Sequence, residues 1–135
     1  MSDFNQQIIE EFRSHRGQVG GQFEGAPLLL LHTTGARSGA ERVNPMMYQQ
    51  VGDDVAVFAS KAGAPTNPDW YHNLVANRLA SVEVGDDRYE VESRVTQGQE
   101  RTRIWEAQKA AYPGFADYES QTTRTIPVVI LSRAD

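Results

Sequence analysis

The chain has 135 residues, a formal net charge of −5 and no cysteine. A chain of this size buries roughly two-thirds of its unfolded surface, enough for one core without covalent staples. The acidic balance excludes a general nucleic-acid binder, and the lack of cysteine excludes disulfides, thiolate metal sites and cysteine nucleophiles.

The N-terminal MSDFNQQIIEEF is acidic and polar, without the basic-then-apolar order of a signal peptide. Apolar runs such as Pro27 to Leu31 are far below the ~20 residues of a membrane span. A cytoplasmic protein is expected. From Asp3 to His15, Phe4, Ile8, Ile9 and Phe12 recur at helical spacing, with Ser2 or Asp3 available as a cap. The glycine-rich residues 17–25 break regular structure, and Pro27 to Thr33 reads as a buried strand.

Gly35 to Gly39 forms a turn, and Glu41 to Gln50 is its return strand. Pro45 inside that run argues for a sheet edge or a bulge. Val55 to Ala59 follows a turn at Gly52-Asp53-Asp54, and Ser60 to Thr66 is a loop of small residues. Asn67-Pro68 predicts a cap and a proline at the first position of a short helix through Trp70, Tyr71 and Leu74. Ala80 to Val84 and Arg88 to Val95 alternate around Gly85-Asp86-Asp87 as a hairpin. Thr96 with Gln99 resembles a capping box. The helix after it places Ile104, Trp105, Gln108, Ala111 and Tyr112 on one face and ends at Pro113-Gly114. Pro127 to Leu131 is a last buried strand. Helix, three strands, helix, two strands, helix, strand is the resulting order. Short links imply antiparallel pairing, and six such strands can close a small barrel. Residues 1–135 are expected to form one domain, in which residues 1–19 supply the N-terminal helix and a glycine-rich lead-in.

Three groups of residues can carry chemistry. The first is Thr33-Thr34-Gly35-Ala36-Arg37-Ser38-Gly39 with Arg42. A turn of glycine and hydroxyls can expose successive N–H groups as an anion nest, and two guanidiniums can add charge-assisted bonds to phosphate. A solvated hairpin turn with two surface arginines is the plain alternative. In the second, Ala59 to Ala64 and Asn67 to Tyr71, small residues let a planar ring approach the backbone while Ser60 and Lys61 offer donors. Here the alternative is a connecting loop with Trp70 in the core. In the third, Tyr112, Phe115 and Tyr118 can roof an apolar slot or form a structural aromatic cluster. His15, His32 and His72 share no metal-ligand spacing, and His32 reads as a satisfied core histidine. No GxSxG elbow is present. The chain thus lacks an evident acid, base and nucleophile set, which suits an enzyme whose chemistry belongs to a bound cofactor.

The segments LLLLHTTGARSGAERVNP (Leu28–Pro45), ASKAGAPTNPDWYHN (Ala59–Asn73) and YPGFADYESQTTRTIPVVI (Tyr112–Ile130) together closely resemble the deazaflavin-dependent nitroreductase family. That family binds the 8-hydroxy-5-deazaflavin coenzyme F420 and belongs to the split-barrel flavin-binding superfamily. The resemblance covers most of the chain from about Gly20 onward. It implies an α+β fold, a six-stranded antiparallel split β-barrel with flanking helices. It also implies that Thr34, Gly35, Arg37, Ser38, Gly39 and Arg42, with Asn44, Pro45 and Met46, bind the coenzyme around its phosphate and acidic tail. Ala59, Ser60, Lys61, Gly63 and Ala64 would line the ring, supported by Asn67, Trp70, Tyr71 and Asn73. Met47, Tyr112, Phe115 and Tyr118 would form the acceptor side, with Tyr118 and Ser60 donating hydrogen bonds during reduction. Two departures stand out. Ala36 occupies the first place of a usual basic pair, and Phe115 stands where the family's prototype has tyrosine.

The expected activity is hydride transfer from reduced coenzyme F420 to a quinone-like or nitroaromatic acceptor. A lipid-soluble acceptor would bring peripheral contact with the inner membrane face, and a homodimer is an option by analogy. The rivals are an enzyme using flavin mononucleotide (FMN) on the same barrel, a non-catalytic carrier of cofactor or lipophile, and a purely structural module.

Overall fold

Strand β1, Leu28–Thr34, shows how the fold is built. Successive strand residues face opposite sides, so four leucines in a row need apolar cover on both faces. In the computed structural model, which describes residues 3–15 and 27–134, both faces have it. Leu29 and Leu31 point into the barrel among Val55, Val57, Val82, Val91, Val129 and Leu131. Leu28 and Leu30 point outward, beneath Ile8, Ile9 and Phe12 of helix α1, Asp3–Ser14. The expected cap at Ser2 or Asp3, the side chain of Phe4 and residues 17–25 lie outside the described part.

The remaining strands are β2 (Glu41–Val51), β3 (Asp54–Phe58), β4 (Leu79–Val84), β5 (Asp87–Val95) and β6 (Val128–Arg133). They close an antiparallel barrel in the order β1-β2-β3-β6-β5-β4. The expected fold class, a six-stranded barrel with flanking helices, is the one found. Helix α2 spans Asp69–Ala76, and α3 and α4 span Gly98–Ala111 and Gly114–Ser120. The last two cover the outer face of β3 and β6, where Ala56, Phe58, Val128 and Ile130 meet Ile104, Trp105, Phe115 and Ile126. Glu119 ties them together by accepting from Trp105 Nε1 at 2.6 Å and from Lys109 Nζ at 2.9 Å.

Pro45 sits as its chemistry requires. It pairs with Leu30 of β1, whereas β3 pairs only with Tyr48 to Val51 of β2. The Tyr48 N–H points to Pro27 on the β1 side, so alternation turns the Pro45 nitrogen toward the unpaired edge, where no donor is needed.

Four local expectations are corrected. Asn67 does not cap α2. Pro68 holds the cap position without a side-chain bond, and the Asn67 Oδ1 accepts from Arg124 at 2.6 Å. The Thr96–Gln99 capping box does not form, because the Thr96 hydroxyl donates to the Val128 carbonyl at 2.8 Å and Gln97 takes the cap position. Ala111 is exposed rather than on the packed face of α3. Finally, the chain resumes after Pro113 as α4, a helix too short to show a clear period.

His32 is buried as expected, and two carboxylates meet its ring. Nε2 lies 2.5 Å from Glu83 Oε2 and Nδ1 3.3 Å from Glu41 Oε1. Glu83 also accepts from Arg13 of α1, at 3.2 Å from Nε and 2.8 Å from Nη2, so one carboxylate fastens α1 to the barrel. The Arg13 bond is the main reason its carboxyl is held below the ordinary 4.5. Burial opposes that shift and the His32 contact reinforces it. A depressed carboxyl stabilises the fold above its ordinary value, and that contribution is lost as pH falls through the folded value. Glu83→Gln is therefore expected to lower unfolding free energy by about 1.5–3 kcal/mol near neutrality, the scale of charged hydrogen bonds. In urea titrations the gap from the native protein should narrow below pH 4.5. A gap independent of pH would remove the clasp.

Candidate active site

The turn between β1 and β2 bends back on itself: Gly35 N–H donates to the Ala40 carbonyl at 2.7 Å and Gly39 N–H to the Gly35 carbonyl at 2.9 Å. Gly39 has a φ of 72°, a left-handed conformation that glycine adopts without strain. Ser38 Oγ accepts from Ala40 N–H at 3.1 Å. Ala36 N–H donates to Asn73 Oδ1 of α2 at 2.9 Å. The N–H groups of Gly35, Ala36, Gly39 and Ala40 are spent on shaping the turn, which narrows the expected backbone nest to Arg37 and Ser38. The guanidiniums are left to meet an anion.

Asn73 is the buried joint of the site. Its Oδ1 holds the turn, and its Nδ2 donates to Thr33 Oγ1 at 3.0 Å. This fixes α2 against the turn and opens a cleft of about 720 Å³ between them. Gly35, Arg37, Ser38, Arg42, Asn44 and Asn73 line it, six of the residues expected from the sequence, together with Ala36, Glu41, Val43, Asp69 and His72. Arg37 and Arg42 are exposed, and neither makes a hydrogen bond or ion pair to a described residue. Asp69 and His72 were missed. Their signal was helical spacing, since they share one face of α2 with Asn73.

The other expected residues lie elsewhere. Thr34 and Gly39 line a second recess, of about 330 Å³, shared with His32, Glu41 and Glu90. Met46 packs against the barrel interior, and Met47 against the outer packing beneath α1 and the α3–α4 layer. Trp70 fills the core, and Tyr71 borders it. Tyr71 also lines an apolar groove of about 210 Å³ with Leu74, Val75 and Val95. Tyr112 lines a further recess of about 500 Å³ beside Tyr48 and Gln108. Phe115 is buried against Phe58, Trp105 and Tyr118, its ring 5.6, 6.1 and 5.5 Å from theirs. Tyr118 is half-buried against it and does not line the main cleft.

The loop from Ala59 to Asn67 is held by a residue given no role from the sequence. Arg124 donates to the carbonyls of Ala59, Ser60 and Ala64 at 3.1, 2.9 and 3.0 Å, and to Asn67 Oδ1 at 2.6 Å. No carboxylate among the described residues joins it, and burial pushes its guanidinium pKa down. The loop needs this restraint. Lys61 has a φ of 47°, the left-handed region that costs a side-chain-bearing residue roughly 1–3 kcal/mol. Gly63 has a φ of 83°, and a Cβ there would lie 2.9 Å from Gln121 Oε1 and 3.0 Å from the Tyr118 carbonyl. Ser60 is buried with Ala59, whereas Lys61 is exposed with Nζ 3.4 Å from Thr66 Oγ1. No group of histidines and carboxylates among the described residues could hold a metal.

The family model for F420H(2)-dependent quinone reductases matches residues 5–133 of this sequence. The chain belongs to the F420H(2)-dependent quinone reductase family. An F420H(2)-dependent quinone reductase of Mycobacterium tuberculosis (strain ATCC 25618 / H37Rv) is 38% identical over 126 residues, 90% of this chain and 85% of that protein. The solved F420-H2 dependent reductase FDR-A superposes with a TM-score of 0.72 at 40% identity, covering 78% of this chain and 94% of that one. A structure described as a domain-swapped dimer gives a TM-score of 0.73 at 36% identity, covering 94% of this chain and 93% of that one.

Within this member of the quinone reductase family, Arg124 is a structural arginine. Arg124→Lys keeps the charge but loses the planar fork and leaves the Ala59 and Ala64 carbonyls without their side-chain donor. A loss of about 1–3 kcal/mol per unmade bond is expected in chemical denaturation. A variant as stable as the native protein would show that the loop holds its shape unaided.

Proposed function

We propose that this chain is an F420H2-dependent oxidoreductase that passes a hydride to a quinone-like acceptor, with its coenzyme anchored at Arg37 and Arg42. One observation carries this reading: two exposed guanidiniums without protein partners among the described residues line one cleft. Such groups bond phosphate oxygens strongly and with fixed geometry. The cleft's volume of about 720 Å³ lies within the roughly 300–1,000 Å³ of small-molecule sites. An anionic coenzyme with a phosphate and a carboxylate tail fits this donor set. Family membership and the related reductases support the same choice.

When bound, the reduced deazaflavin supplies the hydride. The protein binds, orients and manages a proton. Arg37 and Arg42 hold the anionic end, and Asn73 keeps their turn against α2. Reduction of a quinone also requires a proton at oxygen. The sequence suggested Tyr118 or Ser60 for that bond, but neither side chain lines the cleft. His72 does, with its ring edge-on to Tyr71 at 5.6 Å between centroids. Histidine is suited to proton transfer near neutrality, so His72 is the proposed donor to the acceptor oxygen.

A cytoplasmic setting accords with the absence of cysteine, and a lipid-soluble quinone would bring peripheral contact with the inner membrane face. No helix among the described residues is long and apolar enough to cross a membrane. The domain-swapped relative supports a homodimer as the proposed assembly.

Titration with oxidised coenzyme F420, followed by its fluorescence and repeated with FMN, tests the cofactor assignment. Arg37→Ala and Arg42→Ala should each cost about 1.5–3 kcal/mol of coenzyme affinity. Unchanged affinity in both would remove the anion role. His72→Gln should slow quinone reduction by roughly 10²-fold or more, the lower range for general acid catalysis, with little change in coenzyme binding. Equal losses in rate and binding would make His72 a binding residue instead.

A further inference from the structure

The cleft that holds Arg37 and Arg42 also presents two carboxylates, Glu41 and Asp69. Its arginines and carboxylates are therefore matched in number, an unusual composition for a site that binds an anion. Neither carboxylate is paired with the arginines. Glu41 lies next to Arg42 in sequence, yet its Oε1 meets His32 Nδ1 at 3.3 Å, and its side chain is 64% exposed. It stands as a wall between the cleft and the neighbouring recess, both of which it lines. Asp69 is exposed in the first turn of α2, where its charge offsets the positive helix end.

Both arginines are thus free to bond oxygen, but the space around them gains little positive potential. A bound anion is attracted by short directional bonds and repelled by two nearby carboxylates. The repulsion grows with the charge concentrated on that anion, whereas the number of bonds it can accept does not.

We infer that Glu41 and Asp69 make this cleft selective for a singly charged phosphodiester over a doubly charged phosphomonoester. This inference rests on the proposed coenzyme role. The phosphate of the deazaflavin coenzyme is a diester bearing one charge, and its carboxylates are spread along a flexible tail. The terminal phosphate of FMN is a monoester, with about −1.5 to −2 near neutrality. Glu41 and Asp69 are then specificity residues. They exclude the commoner flavin through the charge of its phosphate, without any contact to the ring.

Glu41→Gln and Asp69→Asn test this directly, since both side chains are exposed and the replacements keep their shape. Dissociation constants for coenzyme F420 and for FMN are read from fluorescence in the native protein and both variants. One unit of repulsion across several ångströms of partly screened space corresponds to roughly a fivefold change in affinity. Each variant should therefore bind coenzyme F420 about fivefold more tightly and FMN, with its larger charge, roughly tenfold to 25-fold more tightly. The native preference should also shrink at high salt. Equal gains for both ligands, or no gain for FMN, would overturn the selectivity. Failure of the native protein to bind coenzyme F420 would defeat the coenzyme assignment itself. Binding of the coenzyme with an unmoved FMN ratio would defeat only this inference.

Discussion

The barrel can exist because β1 is apolar on both faces and has a core to bury each one. Leu29 and Leu31 belong to the interior, and Leu28 and Leu30 to the layer under α1. At roughly 25 cal/mol per Å² of apolar surface removed from water, a lone strand exposing either pair would be costly. That constraint places α1 outside the barrel and closes β1 between β2 and β4. The arginine-bearing turn then projects from the end of a strand that cannot shift register. A slip of one residue would exchange the two sets of leucines.

On that rigid frame, a few polar side chains decide the shape of the functional surface. Asn73 is buried, and its amide bonds hold the arginine turn to α2. Arg124 does the corresponding work for the loop that leads into α2, gathering the carbonyls of Ala59, Ser60 and Ala64. Arg124 spans the connection between β3 and α2, and Asn73 lies in the helix just beyond it. Arg37 and Arg42 remain cations without a partner among the described residues. Ordered polar groups thereby supply preorganisation, which lowers the entropy cost of gripping a ligand.

Much of this was legible in the residues. The strands, the outer helices and the barrel closure follow from apolar periodicity and turn chemistry, and Pro45 correctly announced a partly unpaired strand. Arg37, Ser38, Arg42, Asn44 and Asn73 were expected at the site, and they meet in one cleft. Other expectations failed for identifiable reasons. Asn67 and Thr96 have the right side chains for helix caps, but each found a distant partner, Arg124 in one case and Val128 in the other. Local capping rules cannot see a competitor that is remote in sequence. Phe115 and Trp70 were readable as either core or pocket wall, because an aromatic side chain suits both.

The sequence by itself determined the building blocks: an apolar strand needing two cores, a glycine-bracketed turn with two arginines, and a chain without cysteine chemistry. It also carried the family motifs. Only the tertiary structure decided which polar groups are spent internally and which remain for a ligand. Four N–H groups of the turn looked available and are not, whereas Glu41 and Asp69, given no role from the sequence, line the cleft. The reason is physical. Apolar burial follows short-range periodicity, but the partner of a polar group is set by which segments the folded barrel brings within hydrogen-bond distance.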